Sequence, residues 1–162
     1  METSPGNFNS ADALRPAVVP VLPEDYDEIA EVWEASVRAT HDFLSEEHLQ
    51  LFRPIVRNQA VHAVDLFCVR DGQGAILGFL GTSGDKIEML FLRPGARGKG
   101  IGRALLEYAV HQLRIFKVDV NEQNRQALDF YRHCGFEVMS RSELDGMGLP
   151  YPLLHMEFRS AL

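Results

Sequence analysis

Apolar residues recur along this chain with two different periods. Residues 17–22 (AVVPVL) form a short β-branched run and read as a strand. Pro23-Glu24-Asp25 then opens a segment in which Ile29, Val32, Trp33, Ser36 and Val37 fall three and four apart. That spacing predicts an amphipathic helix to about Arg38, with Trp33 and its neighbours in the core. Thr40-His41-Asp42-Phe43-Leu44 breaks the stripe and reads as a turn. Ser45, followed by Glu46 and Glu47, restarts a helix. A serine oxygen accepts from a first-turn N–H, and carboxylates favour the positive end of the helix dipole.

The period then shortens. Residues 64–69 read as a strand, 71–74 (DGQG) as a hairpin turn, and 75–82 as the returning strand. Gly84-Asp85 turns the chain into residues 87–92 (IEMLFL), almost wholly apolar as an internal strand should be. Residues 102–113 carry Ala104, Leu105, Tyr108, Ala109 and Leu113 on one helical stripe. A strand at 116–120, a helix at 123–133 ended by Gly135, and strands at 136–140 and 153–158 complete the pattern. The order β-α-α-β-β-β-α-β-α-β-β predicts an α/β fold in the broad sense, a mixed sheet with helices on both faces.

No repeat or linker divides the 162 residues, a length that suits one domain of roughly 100–200 residues. Residues 1–15 lack the basic start and apolar block of a signal peptide. They read as a polar, disordered leader, which leaves 16–162 as a single domain. No apolar run nears the ~20 residues that span a bilayer, so no membrane partner is expected. Cys68 and Cys134 are too few for a disulfide framework and suggest a reducing cytoplasm. The net charge of −7 argues against nucleic acid as a bulk partner and suits a cationic substrate. No histidine or cysteine pair has metal-ligand spacing on one element, so no metal is expected.

The segment after the fourth strand carries the chemistry. Residues 93–103 (RPGARGKGIGR) hold four basic side chains and no acidic one, in an acidic chain. Glycines let successive N–H groups converge on one point, and the helix that follows adds partial positive charge there. The arrangement suits a pyrophosphate. It is not a Walker loop, because Lys99 is followed by Gly100 rather than by serine or threonine. It is not the dinucleotide fingerprint either, since the spacing is Gly98-x-Gly100-x-Gly102 after a fourth strand.

Arg97-x-x-Gly100-x-Gly102, after a strand ending Leu92-x-Pro94, resembles the pyrophosphate loop of the GNAT superfamily of N-acetyltransferases. A second block strengthens the resemblance: Val118-Asp119-Val120-Asn121, then Asn124-x-x-Ala127-x-x-Phe130-Tyr131, then Gly135-Phe136. The two blocks cover roughly residues 87–138. The resemblance implies a mostly antiparallel sheet whose fourth and fifth strands splay apart, with acetyl-CoA as cosubstrate in the gap. Main-chain groups of Leu90, Phe91 and Leu92 would hold its pantetheine arm. Backbone N–H groups of Arg97, Gly98, Lys99, Gly100, Ile101, Gly102 and Arg103 would hold its pyrophosphate, and Asn124 would touch the arm.

The implied reaction is direct attack by a primary amine of a small molecule or peptide on the thioester, in a ternary complex. A lysine-type amine has a pKa of roughly 10.4, so it must lose a proton before it attacks. The resemblance makes Tyr131 the acid that protonates the departing thiolate. Three groups remain open as the base: Glu88 on the fourth strand, His41 beside Asp42, and His155 near the C-terminus. Thr40, His41, Asp42, Phe43 and Tyr151 should border the acceptor, and Met89 and Met147 could line its pocket. Cys134 reads as filler rather than nucleophile. The rival reading is a non-catalytic acyl-CoA-binding sensor, which needs no proton donor at position 131. Monomer and homodimer are both compatible with the sequence.

Overall fold

The computed structural model describes residues 16–159, and the expected leader, residues 1–15, lies outside them. The Asp25 carboxylate accepts from the Leu22 N–H at 2.9 Å and steers the chain into helix α1, Tyr26–Thr40. The buried face of α1 is Ile29, Val32, Trp33, Ser36 and Val37, the stripe read from the spacing. At its end the Thr40 hydroxyl donates to the Ser36 carbonyl at 2.7 Å, and the chain leaves through His41. Ser45 accepts from the His48 N–H at 3.1 Å and starts α2, Glu46–Ile55. Pro54 lies inside α2 and has no N–H for its ladder. A π-helical turn, Val56–Ala60, and a short helix α3, Val61–Ala63, follow. Neither had been expected.

Strands β1 (Val19–Pro20), β2 (Asp65–Arg70), β3 (Ile76–Ser83), β4 (Lys86–Leu92), β5 (Lys117–Asn121), β6 (Phe136–Ser142) and β7 (Leu153–Phe158) form one sheet. Their order is β1-β2-β3-β4-β5-β7-β6, antiparallel everywhere except between β4 and β5. The first strand is shorter than the run at 17–22 suggested. Pro20 cannot donate to a ladder, and the strand sits at the sheet edge where that loss is tolerated. Helix α4 (Ile101–Glu107), its π-helical continuation (Tyr108–Gln112) and α5 (Arg125–His133) complete the fold. Among the described residues no helix is long and apolar enough to cross a membrane.

Two apolar layers sandwich the sheet. Ile29, Val32, Trp33, Leu49 and Val61 pack on one face with Cys68, Phe79 and Met89. Leu105, Leu106, Ala109, Leu128 and Tyr131 pack on the other with Leu80, Ile87 and Val118. Ile87 and Met89 thus lie on opposite faces although two residues apart, where a regular strand would put them together. The β3–β4 register explains this: Gly81 pairs Met89, Thr82 pairs Ile87, and Glu88 is the extra residue of a β-bulge.

The parallel seam is short. β4 and β5 pair only at Lys86↔Lys117 and Ile87↔Val118. Beyond those two positions they part, and β4 runs on to Leu92 with its β5-facing side open. The expected splay of the fourth and fifth strands is therefore present, as a wedge in the middle of the sheet.

Candidate active site

The wedge opens into a cavity of about 360 Å³. Its walls are Leu90, Phe91 and Leu92 of β4, the loop from Ala96 to Gly100, the first turn of α4, and Asn124, Ala127, Phe130 and Tyr131 of α5 with the turn before it. Ser36, Thr40 and His41 close it from the end of α1.

The loop folds as its glycines allow. Gly98 and Gly100 have φ of 74° and 80°, where a side chain would be strained. Gly100 is the N-cap of α4, and no side chain caps that end. The first-turn N–H groups of Ile101, Gly102 and Arg103 have no intrahelical acceptors, as at any helix start, and they front the cavity. Gly102 serves a different purpose. A Cβ there would stand 3.3 Å from Leu92 Cδ1 and 3.6 Å from Phe130 Cζ, so its glycine lets α4 pack tightly on β4 and α5.

Arg97 is the best evidence for an anion in this cavity. Its Nη1 donates to Gln126 Oε1 at 3.3 Å, whereas its Nη2 is buried with no partner among the described residues. A buried guanidinium donor left unpaired costs free energy, and a phosphate oxygen is its natural acceptor. Arg103 turns along its own helix towards Glu107, at 3.2 Å, and Lys99 is exposed.

Asn124 caps α5 by accepting from the Ala127 N–H at 3.1 Å. That bond fixes its amide, so Nδ2 faces His41 Nε2 at 3.4 Å. His41 Nδ1 lies 2.7 Å from Thr40 Oγ1, whose own proton goes to Ser36. The imidazole Nδ1 is therefore the donor, and Nε2 directs its lone pair at the Asn124 amide on the cavity wall, across a long contact that a closer donor can replace. Burial lowers the His41 pKa to about 4, the Arg97 charge acts in the same direction, and Asp42 opposes both. His41 is neutral at pH 7.

Tyr131 is buried with its ring edge-on to Phe130 at 5.3 Å and to Phe136 at 5.5 Å. Its hydroxyl has no hydrogen-bond partner among the described residues. Burial, with a smaller effect of Cys134, pushes the phenol well above its ordinary pKa and keeps it protonated. Cys134 is half-buried, and burial raises its thiol too, which makes a nucleophilic thiolate unfavourable at pH 7.

The remaining site residues are more scattered. Phe43 stands between His41, at 5.2 Å, and Tyr151, at 6.3 Å, beside the cavity rather than in its wall. Tyr151 is buried and its hydroxyl bonds His48 Nδ1. Asp42 is exposed. Neither His48 nor Gln126 was singled out from the sequence. Gln126 falls in a first helical turn that already faced the loop, but no spacing relates His48 to Tyr151. Glu88 does not line this cavity; the bulge turns it into a second one. His155 is also elsewhere: its Nδ1 bonds Asp119 at 2.6 Å and its Nε2 meets the Ser142 hydroxyl at 2.7 Å. Lys86 Nζ holds the other Asp119 oxygen at 2.6 Å. This chain ties β4, β5, β7 and β6 together across the seam. Met147 is half-exposed in the β6–β7 connection, whereas Met89 lines the second cavity.

Known proteins are similar to this chain in sequence and fold. Residues 63–138 match the family described as acetyltransferase (GNAT) domain. The peptidyl-lysine N-acetyltransferase YjaB of Escherichia coli is 40% identical over 138 residues, covering 85% of this chain and 93% of that protein. The solution structure of apo YjaB from Escherichia coli superposes with a TM-score of 0.83 at 38% identity, over 90% of this chain and 98% of that one. The paiA N-acetyltransferase of Thermoplasma acidophilum, solved in complex with coenzyme A, shares the fold with a TM-score of 0.65 and 24% identity, over 89% of this chain and 98% of that one. Relatedness to named enzymes over most of the chain sets aside the non-catalytic sensor. Relatives of this likeness over most of the chain establish an N-acetyltransferase, and the chain belongs to the GNAT superfamily.

Proposed function

We propose that this enzyme takes acetyl groups from acetyl-CoA and places them on lysine side chains of peptides. The observation that carries the cosubstrate is the orphaned Arg97 Nη2, beside free first-turn N–H groups at the end of an open strand edge. That set suits a pyrophosphate joined to an extended, amide-bearing arm. The lysine acceptor is supported by the activity for which YjaB is named and by the chain's net charge of −7.

In this reading Leu90, Phe91 and Leu92 offer backbone groups to the pantetheine amides, as a neighbouring strand would. The loop from Arg97 to Arg103 binds the pyrophosphate, and Asn124 borders the arm. The acceptor enters past Thr40, His41, Asp42, Phe43 and Tyr151. The acceptor's ammonium first gives one proton to solvent; its neutral nitrogen then bonds to the thioester carbon, and charge moves onto the carbonyl oxygen. His41 Nε2 takes a proton from that nitrogen, which is far more acidic once bonded to carbon. The C–S bond then breaks, and the Tyr131 hydroxyl gives its proton to the leaving sulfur. Solvent returns the proton from His41 to Tyr131. Acetyl-lysine and free coenzyme A are the products.

The test is a panel of acceptors assayed for thiol release with acetyl-CoA, and for the acetylated atom by mass spectrometry. Lysine peptides should be acetylated at Nε with higher kcat/KM than free lysine, polyamines or aminoglycosides. Turnover confined to the small amines would refute the peptide acceptor.

A further inference from the structure

The bulge in β4 creates a second cavity, of about 370 Å³, on the α1 side of the sheet. Trp33, Ala63, Val64, Met89 and Phe91 give it apolar walls, and Glu88 is its one charged residue. Phe91 also lines the first cavity, so the two cavities share one residue of β4. Glu88 is exposed and makes no hydrogen bond or ion pair among the described residues. Lys86, whose charge Glu88 helps to favour, is already held by Asp119 at 2.6 Å.

We propose that this cavity is a subsite for a second basic side chain of the acceptor, a lysine or arginine flanking the lysine that is acetylated. The inference rests on the peptide reading of the enzyme's function. A methylene stem ending in a cation is the group that apolar walls and a single unpaired carboxylate recognise together. An aromatic wall adds attraction for the cation. The shared Phe91 places such a side chain next to the reacting centre, so one peptide can occupy both cavities. Glu88 then selects the acceptor by charge and holds it in place, rather than removing its proton.

The experiment uses the full chain with saturating acetyl-CoA and paired peptides. Each pair keeps the target lysine and carries either a basic residue or norleucine at one flanking position, scanned along the peptide. At one or more positions the basic peptide should be favoured roughly 5–10-fold in kcat/KM, the combined scale of an exposed ion pair and an aromatic wall, mostly through KM. Glu88→Gln should bring the two peptides within about two-fold of each other, and Glu88→Lys should favour a glutamate-bearing peptide. Wild-type turnover of lysine peptides with no charge preference would overturn the subsite alone. A preference that survives Glu88→Gln, or a kcat loss shared equally by both peptides, would do the same. Failure of the wild type to acetylate any peptide, while it still binds acetyl-CoA, would overturn the peptide reading and the subsite with it.

Discussion

The side-chain amide of Asn124 lies 3.4 Å from His41 Nε2 and joins the cap of α5 to the exit of α1 across 83 positions of sequence. The same asparagine holds the first turn of α5, so the orientation of His41 is tied to a helix start. His41 owes its neutral state to burial first and to the Arg97 charge second, against the pull of Asp42.

A first prediction concerns pH and stability. The folded pKa of His41, about 4, is below its ordinary value of 6.5. The unfolded chain therefore binds more protons between those values, and the stability contributed is full above about 6.5 and lost as pH falls towards 4. Urea titrations from pH 7 to pH 4 should show a steeper loss in the wild type than in His41→Gln. Parallel curves would show that His41 titrates normally. In kinetics His41→Gln should lower kcat for the amine and leave acetyl-CoA affinity nearly unchanged.

Tyr131→Phe removes one hydroxyl from a ring held by Phe130 and Phe136. Its kcat should fall by roughly 10²-fold or more, the scale of general acid catalysis. Affinity for acetyl-CoA and the melting temperature should change little. A variant with wild-type kcat would reduce Tyr131 to a packing role.

The two loop glycines should fail differently. Gly100→Val forces a β-branched residue to a φ of 80° with no atom of the protein in its way, so cofactor binding should be lost from a folded chain. Gly102→Val drives a side chain against Leu92 and Phe130, and its main effect should be destabilisation by about 1–3 kcal/mol. Calorimetry beside thermal unfolding separates the two. Equal melting temperatures in both variants would contradict the distinction.

Arg97→Met removes a cation whose Nη2 is buried and unpaired. The free protein should melt no lower than the wild type. Affinity for acetyl-CoA should drop roughly 10–100-fold, the value of a charge-assisted hydrogen bond. Unchanged affinity would move the pyrophosphate away from this arginine.

Asp119 joins Lys86 and His155, with its side chain 23% exposed. Burial works against its charge, but the bonds from Lys86 and His155 prevail and hold its pKa below the ordinary 3.8. The stability that it contributes is present above that value and lost as pH falls below it. Asp119→Asn should cost about 1.5–3 kcal/mol at pH 7, because a half-buried Lys86 loses its partner. A neutral substitution would show that the seam does not depend on this carboxylate.

Much of this was legible in the residues because periodicity and glycine placement are local. The α1 stripe and the strand at 153–158 lie where spacing put them, and the loop at 97–102 and the Phe130-Tyr131 pair border the cavity, as their resemblance to the family implied. Residues 56–63 did not announce themselves, since a π-helical turn after Pro54 has no hydrophobic period of its own. The placement of Glu88 was hidden for another reason. One inserted residue reverses the face of the rest of β4, and the insertion appears only in the register with β3. His48 with Tyr151, and Asp119 with His155, are pairings between distant elements that no local pattern encodes.

The wedge has one further consequence. Where β4 and β5 part, each presents a row of backbone groups of the kind that makes exposed sheet edges sticky towards other chains. Here those rows face each other inside the molecule, with the end of α1 on one side and α5 on the other. With both faces covered, these rows are no free edge along which another chain could extend the sheet. An aggregation hazard has been turned inward.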